Sequence, residues 1–165
     1  MSRMIIIRGP LGVGKSTVSL RVAKALNADY FSVDEILVEK GLDFCDGEPC
    51  IPLSNFVQVN DKILADIHRS RQGAVVDGNF YHADQLEDLT ERHVGPVHVF
   101  TLKAPVESCI ERDGGRREPH GEAAARAVHG LVSGFDAGVC VETGGKGVGQ
   151  VVDQILEELG LITAE

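Results

Sequence analysis

Eight residues from Gly9 to Ser16 have the types and spacing needed to bind nucleotide phosphates. They read Gly-Pro-Leu-Gly-Val-Gly-Lys-Ser and satisfy the pattern G-x-x-x-x-G-K-[ST] at every position. Glycines let such a loop curl so that backbone N–H groups point at an anion, and a following helix adds its positive end. Lys15 brings a cation to the β- and γ-phosphates, and the Ser16 hydroxyl can ligate Mg²⁺. The pattern predicts that ATP, with GTP as the alternative, contacts Gly9, Gly12, Val13, Gly14, Lys15, Ser16 and Thr17.

Two aspartates that follow predicted strands are candidates for the acceptor side of a phosphoryl transfer. Asp34 is expected to end the second strand and Asp77 the third. A carboxylate there can orient magnesium-bound water or accept the proton of an attacking hydroxyl. We expect Asp34 to bind the acceptor or act as base, and Asp77 to serve magnesium or the acceptor; which aspartate takes which role is open. The structural alternatives are a helix N-cap for Asp34 and a turn-former for Asp77.

The residues around Asp77 add further acceptor-side candidates. Gly78 would let a substrate approach the backbone closely, and Asn79 offers both a hydrogen-bond donor and an acceptor. Aromatic residues are sparse in this chain, yet Phe44, Phe56, Phe80 and Tyr81 all fall in or next to the acceptor segments. Phe56 is therefore a candidate substrate contact, with plain core packing as the alternative.

A run of arginines from residue 112 to residue 121 is a third group of candidates. It reads Arg-Asp-Gly-Gly-Arg-Arg-Glu-Pro-His-Gly, and Arg126 follows on the next predicted helix as a candidate substrate contact. Guanidinium groups make bidentate contacts to phosphates and offset the charge that develops during transfer. Because Gly and Pro break regular structure, we expect a mobile lid over about residues 112–121 that closes on phosphates and excludes water. The alternative is a solvated basic loop.

The elements that must position these residues alternate between strand-like and helix-like segments. Strands are predicted at Met4–Arg8, Tyr30–Val33, Ala74–Asp77, Val97–Leu102 and Val139–Glu142. Helices are predicted at Ser16–Leu26, Glu35–Lys40, Phe56–Ser70, Ala83–Arg92, Pro105–Arg112, Glu122–Ser133 and Gly149–Leu159, with a loop over residues 41–52. Strands that are apolar along nearly their whole length predict a parallel sheet covered on both faces. Ligands of such sheets bind at the carboxyl ends of the strands, where the candidates above fall.

Composition bounds the remaining possibilities. The chain has 165 residues and a net charge of −9, so nonspecific nucleic-acid binding is not expected. The first residues lead into a strand without a signal-peptide core, and no apolar run is long enough to cross a bilayer, which predicts a cytoplasmic protein, monomeric or homodimeric. The four cysteines lack zinc-finger spacing and are expected to be reduced thiols.

Taken in order, the phosphate loop, Asp34, the Asp77-Gly78 pair and the arginine run resemble the small P-loop kinases over nearly the whole chain. These include the nucleoside monophosphate, shikimate, gluconate and adenylylsulfate kinases. The resemblance implies a three-layer α/β P-loop NTPase fold in one domain, residues 1–165, with a five-stranded parallel sheet in the order 2-3-1-4-5. The arginine run is similar to the start of an adenylate kinase lid, which implies that Arg112 lies against the adenine and Arg116 reaches the phosphates. The segment Val141–Lys146 looks like the one that borders the adenine, which implicates Lys146.

The acceptor side departs from those families. The run Asp77-Gly78-Asn79-Phe80 matches neither the Gly-Phe-Pro-Arg run of adenylate kinases nor the triple glycine of shikimate kinases. No arginine lies between residues 35 and 60 to hold an acceptor phosphate or carboxylate. We expect an ATP- and magnesium-dependent kinase with a small-molecule acceptor, in which Lys15, Asp34 and Arg116 are catalytic. The alternatives are an adenylate-kinase-like ATPase that switches conformation on an RNA or protein partner, and a nucleotide-binding module without catalysis.

Overall fold

A five-stranded parallel sheet forms the centre of the molecule. The computed structural model describes residues 2–45, 47 and 50–163. The strands are β1 (Met4–Arg8), β2 (Asp29–Ser32), β3 (Ala74–Gly78), β4 (Val97–Lys103) and β5 (Val139–Glu142). All neighbouring pairs are parallel, and their order is β2-β3-β1-β4-β5. The predicted sheet and its strand order are therefore confirmed.

Seven helices in the described part of the chain connect and cover the strands. They are α1 (Lys15–Leu26), α2 (Val33–Glu39), α3 (Leu53–Ser70), α4 (Ala83–Arg92), α5 (Val106–Gly114), α6 (Glu122–Val132) and α7 (Val148–Glu158). Residues 40–52 contain no helix or strand among those described, and Asp46, Glu48 and Pro49 of the predicted loop lie outside the described residues. None of these helices has both the length and the apolar content that a bilayer crossing requires.

Alternate residues of β1 point to two apolar cores, one on each face of the sheet. Ile5 and Ile7 pack with the buried faces of α1 and α7. Met4 and Ile6 pack with the apolar faces of α2, α3 and α4. Each fully buried Ile or Met side chain contributes roughly 1.5–3 kcal/mol, so both faces of the strand hold it in place. The result is the expected three-layer arrangement, and it fixes where β1 delivers the loop that follows it.

The boundary between β2 and α2 differs from the prediction. The strand ends at Ser32, and α2 begins at Val33, so Asp34 lies in the first helical turn and does not end a strand. Ser32 is the N-cap, because its hydroxyl accepts a hydrogen bond from the Glu35 N–H at 3.3 Å. The N-cap alternative for Asp34 is therefore also wrong. The sequence Ser-Val-Asp-Glu follows the S-x-x-E capping pattern, which is the signal that locates this boundary.

Candidate phosphate-binding and acceptor site

The loop between β1 and α1 has the backbone geometry that its glycines predict. Gly12 and Gly14 adopt left-handed conformations, with φ of 77° and 98°. A Cβ atom on Gly12 would lie 2.1 Å from the Cys109 carbonyl oxygen on α5, so this position requires glycine for space as well as for conformation. The loop is thus clamped between the sheet and α5 and opens directly into the N-terminus of α1.

Lys15 is buried at the centre of this loop. Its side chain folds back so that Nζ donates a hydrogen bond to the Pro10 carbonyl at 2.8 Å. Burial lowers the pKa of Lys15, while the negative charges of Asp34 and Asp77 act in the opposite direction. Both predicted carboxylates therefore act on the predicted phosphate-binding lysine, and the charge of Arg116 acts on it as well.

Asp77 lies nearly fully buried beside Lys15 and receives a short hydrogen bond. The Tyr30 hydroxyl donates to Asp77 Oδ2 at 2.6 Å. Burial raises the pKa of Asp77, and the hydrogen bond from Tyr30, the charge of Lys15 and the hydroxyl of Ser16 all counter that rise. An exposed serine hydroxyl next to a buried carboxylate is a suitable set of oxygen donors for Mg²⁺, which binds through one or two protein oxygens together with substrate phosphates. Among the described residues no group of three or more His, Cys, Asp or Glu forms a separate metal cluster.

Tyr30 is a site residue that the sequence reasoning missed. In the β2–β3 register Tyr30 pairs with Val75, two residues before Asp77, which pairs with Ser32. A partly buried phenol needs a hydrogen-bond partner, and a carboxylate at the end of the neighbouring strand supplies one. Because the predicted strand order places β2 beside β3, this need for a partner could have pointed to a contact between Tyr30 and Asp77.

The acceptor-side residues after Asp77 are closely packed. A Cβ on Gly78 would lie 2.9 Å from Val33 Cγ2 and 3.0 Å from Phe80 Cε2, so helix packing explains this glycine. Asn79 is 9% exposed, and its Oδ1 has no hydrogen-bond partner in the described structure. Phe56 is buried and lies 5.4 Å from the Tyr81 ring, centroid to centroid. Substrate contact by Gly78, Asn79 and Phe56 stays a prediction.

The lid segment is anchored by a carboxylate. Asp113 is 1% exposed; its Oδ1 lies 2.9 Å from His120 Nδ1, and its Oδ2 accepts from the Gly121 N–H at 2.9 Å. Residues 112–114 belong to α5, so the non-helical part of the predicted lid is residues 115–121. Asp113 closes this segment into a ring, which explains why the helix continues past the predicted end at Arg112. The Arg116 side chain lies near this closed segment, with Nη1 at 3.9 Å from Asp113 Oδ1.

Three further residues predicted to contact nucleotide or acceptor, Arg112, Arg126 and Lys146, each bind other groups of the protein. Arg112 Nη1 donates to the Val13 carbonyl at 3.2 Å, which ties α5 to the phosphate loop. Arg126 forms ion pairs with Glu107 and Glu122, and Lys146 Nζ donates to Gln154 at 2.9 Å. The roles of Arg126 in acceptor binding and of Arg112 and Lys146 in adenine binding stay predictions.

Arg8, which precedes the loop, is a second residue that the sequence reasoning missed. It is fully buried, and its guanidinium donates to the carbonyls of Phe80, Val132 and Phe135 and to the Thr101 hydroxyl. Val132 ends α6, so the cation meets the negative end of that helix. A charged residue in an otherwise apolar strand could have drawn attention to this position. The hydrogen bonds of Arg8 join β1 to α6, the helix that follows the lid segment.

A parallel sheet in this order, with a glycine loop between β1 and a helix carrying Lys15 and Ser16, is the α/β P-loop NTPase fold of small kinases. The family comparison agrees, since a model described as an AAA domain (AAA_33) matches residues 4–136. The chain therefore belongs to the AAA_33 family.

Curated relatives match part of this chain and a smaller part of their own length. The tRNA dimethylallyltransferase 9 of Arabidopsis thaliana is 35% identical over 97 residues, which is 58% of this chain and 20% of that protein. Adenylate kinase 8 of Homo sapiens is 26% identical over 121 residues, 68% of this chain and 25% of that protein. The chain thus spans about a fifth to a quarter of the length of these two relatives.

Solved structures match over nearly the full length of both chains. A gluconokinase from Sinorhizobium meliloti has a TM-score of 0.71 at 17% identity, covering 95% of this chain and 91% of its own. The tunicamycin resistance protein of Deinococcus radiodurans has a TM-score of 0.73 at 23% identity, covering 100% and 99%. The shikimate kinase of Acinetobacter baumannii has a TM-score of 0.68 at 22% identity, covering 100% and 96%. At these identities the likeness shows a shared kinase-like P-loop fold.

Proposed function

We propose that this protein is an ATP- and magnesium-dependent phosphotransferase that acts on a small-molecule acceptor. One observation carries the proposal: the charges of Asp34, Asp77 and Arg116 all act on the buried amine of Lys15. The predicted phosphate-binding cation, two acceptor-side carboxylates and a lid arginine are thus close enough for their charges to affect one another. Phosphoryl transfer depends mainly on positioning and charge, and these are the groups that it requires.

Each group has a distinct role in the proposed reaction. The loop N–H groups and Lys15 hold the β- and γ-phosphates of ATP, and Arg116 offsets charge on the transferring group. Ser16 and Asp77 would hold Mg²⁺, which neutralises phosphate charge when bound. Asp34, exposed at the first turn of α2, accepts the proton of the acceptor hydroxyl. The acceptor oxygen forms a bond to the γ-phosphorus as the bond to the β–γ bridging oxygen breaks, and ADP leaves.

An ATPase that changes conformation on an RNA or protein partner is the second candidate. The absence of an arginine between residues 35 and 60 favours it, because the acceptor anions of several small kinases need such a cation. Hydrolysis of ATP that needs no acceptor, and that a partner stimulates, would distinguish this candidate from the kinase.

The test is the release of ADP over a panel of metabolite acceptors, measured in a coupled assay. Lys15→Met is expected to reduce acceptor-dependent ADP release by at least about 10²-fold, because the developing phosphate charge loses its cation. Lys24→Met is the matched control, since Lys24 is exposed near the other end of the same helix. Unchanged ADP release in Lys15→Met would overturn the assignment.

A further inference from the structure

The wall that faces the proposed transfer point from the acceptor side has an unusual charge balance. We define this acceptor wall as residues 33–45, 47, 50–60 and 77–82, all of which the structure describes. It holds five carboxylate residues and one lysine, and it has no arginine; the carboxylates are Asp34, Glu35, Glu39, Asp43 and Asp77. An acceptor phosphate, sulfate or carboxylate would meet repulsion here.

The single lysine of the acceptor wall does not alter this balance. Lys40 lines a surface depression at the end of α2 together with the α3 residues Asp61, Lys62, Asp66 and Arg69. Of the cations beyond the wall, Lys15 is committed to the phosphate loop, and Arg126 is already paired with Glu107 and Glu122. Arg116 acts on Lys15 at the donor side. No lysine or arginine in the described wall is therefore left to hold an anionic acceptor.

Aromatic rings form the other half of the wall. Tyr81 is half-buried and lies 4.9 Å from the His82 ring and 5.4 Å from the Phe56 ring, centroid to centroid. His82 Nε2 lies 2.9 Å from the Ile51 carbonyl oxygen, which accepts its N–H. Ser32 pairs with Asp77 and Val33 lies against Gly78, so Asp34 comes next to the segment that leads to Tyr81. Burial raises the pKa of Tyr81, and the negative charge of Asp34 adds to that rise. An aromatic face next to carboxylates is a combination that binds ammonium groups.

A buried polar atom independently points to a ligand that donates hydrogen bonds. Asn79 follows β3 at the carboxyl end of the sheet, two residues after Asp77, and is 9% exposed. Its Oδ1 has no partner in the described structure, although a buried carbonyl oxygen left unpaired costs about 1–3 kcal/mol. A hydroxyl or an ammonium group of an acceptor would satisfy it, whereas a carboxylate or phosphate would not.

We propose that the acceptor is a hydroxyl compound that also carries a protonated amine, such as an amino sugar or amino alcohol, recognised by Asp34, Tyr81 and Asn79. This inference rests on the proposed phosphotransferase function and narrows its substrate class. The amine binds the aromatic face within the negative charge of the wall, while the hydroxyl faces Asp34, the proposed base, and attacks the γ-phosphate. The negative charge of the wall disfavours anionic acceptors.

The experiment uses compounds matched in shape and different in charge. Glucosamine, glucose and glucuronate form one set, and ethanolamine, ethylene glycol and glycolate form another. ADP release with MgATP and binding by ligand-observed NMR are measured for each compound at pH 7 and low salt. The amine of each set is expected to have a kcat/KM at least about ten-fold above the neutral compound, falling as salt screens the wall. Equal or better use of the neutral or acidic compounds would overturn the proposal.

Variants separate charge recognition from general damage. Glu35→Gln combined with Asp43→Asn is expected to raise KM for the amine about three-fold and to leave KM for ATP unchanged, with Glu157→Gln on α7 as the control. Tyr81→Phe should keep amine binding, and Tyr81→Leu should lose it, because the interaction needs an aromatic face.

If amines bind but no acceptor is phosphorylated, the phosphotransferase function fails while the amine site stands. If ADP forms but amines neither bind nor react, the amine site fails alone.

Discussion

At the scale of single residues, the site depends on a carboxylate held in an unfavourable environment. Asp77 is buried, which raises its pKa, and in the proposed function it would have to be ionised to hold a magnesium ion. The Tyr30 hydroxyl at 2.6 Å, together with the charge of Lys15, stabilises the ionised form. The structure therefore assigns Tyr30 to the control of a protonation state, a role that motif matching alone does not reveal.

The acid limb of the pH dependence of kcat/KM should depend on the hydrogen bond between Tyr30 and Asp77. Because burial raises the pKa of Asp77, the carboxylate takes up its proton at a higher pH than an exposed aspartate, whose pKa is about 3.9. Tyr30→Phe removes a hydrogen bond to the ionised form, so the pKa rises further and the acid limb of kcat/KM moves to higher pH. Activity on the alkaline plateau should change little, with about a ten-fold greater loss on the acid side. An unmoved acid limb would contradict this role.

The candidate residues were predictable where residue type and motif agree. Lys15 was placed from the glycine pattern and Asp77 from the end of an apolar strand, whereas Asp34 lies in the first turn of α2 and not at a strand end. The negative charges of both aspartates raise the pKa of Lys15 against the effect of burial, and the roles of all three residues stay predictions. Tyr30 and Arg8 were missed because their importance lies in contacts across the sheet, to Asp77 in one case and to the end of α6 in the other. Such contacts depend on register and helix packing, which a linear pattern does not specify.

At the scale of elements, the phosphate loop keeps its shape because α5 packs against it. Gly12 lies against the Cys109 carbonyl, and Arg112, one turn later on α5, donates to the Val13 carbonyl. Asp113 then closes the lid segment through His120 and Gly121. One helix therefore contacts both the loop that would bind phosphates and the segment that would cover them.

Two glycine-to-alanine variants test the loop packing. Gly12→Ala places a Cβ against the Cys109 carbonyl in a left-handed conformation, so we expect a loss of about 3 kcal/mol in unfolding free energy and loss of ATP binding. Gly130→Ala lies in α6 with no atom within 4 Å of the new Cβ, and it should gain about 0.5–1 kcal/mol. Chemical denaturation and nucleotide titration measure both. Equal stabilities for the two variants would contradict the packing described.

Element boundaries were predicted to within a few residues, and the errors have physical causes. Helix α4 and strands β1 and β5 match their predicted limits. The β2–α2 boundary was misplaced because the Ser32 cap was overlooked, and α3 begins three residues early, at Leu53 after Pro52. The extension of α5 through Gly114 depends on the Asp113 ring, a tertiary contact that residue types do not reveal.

At the scale of the whole molecule, topology brings the two halves of the site together. Strand β1 lies between β3 and β4, so the phosphate loop, Asp77 and the lid helix all start at the same edge of the sheet. The strand order was predictable from the family resemblance. The acceptor was not, because the acceptor wall follows neither of the family patterns compared with it.

Transfer of the γ-phosphate can be observed directly by ³¹P NMR of the protein with MgATP and the panel of acceptors, amines included. A kinase transfers the γ-phosphate to the acceptor, so we expect a phosphoester resonance that grows in step with ADP and is absent with Lys15→Met. ATP consumed with inorganic phosphate as the sole new product, at a rate that no acceptor changes, would contradict this expectation.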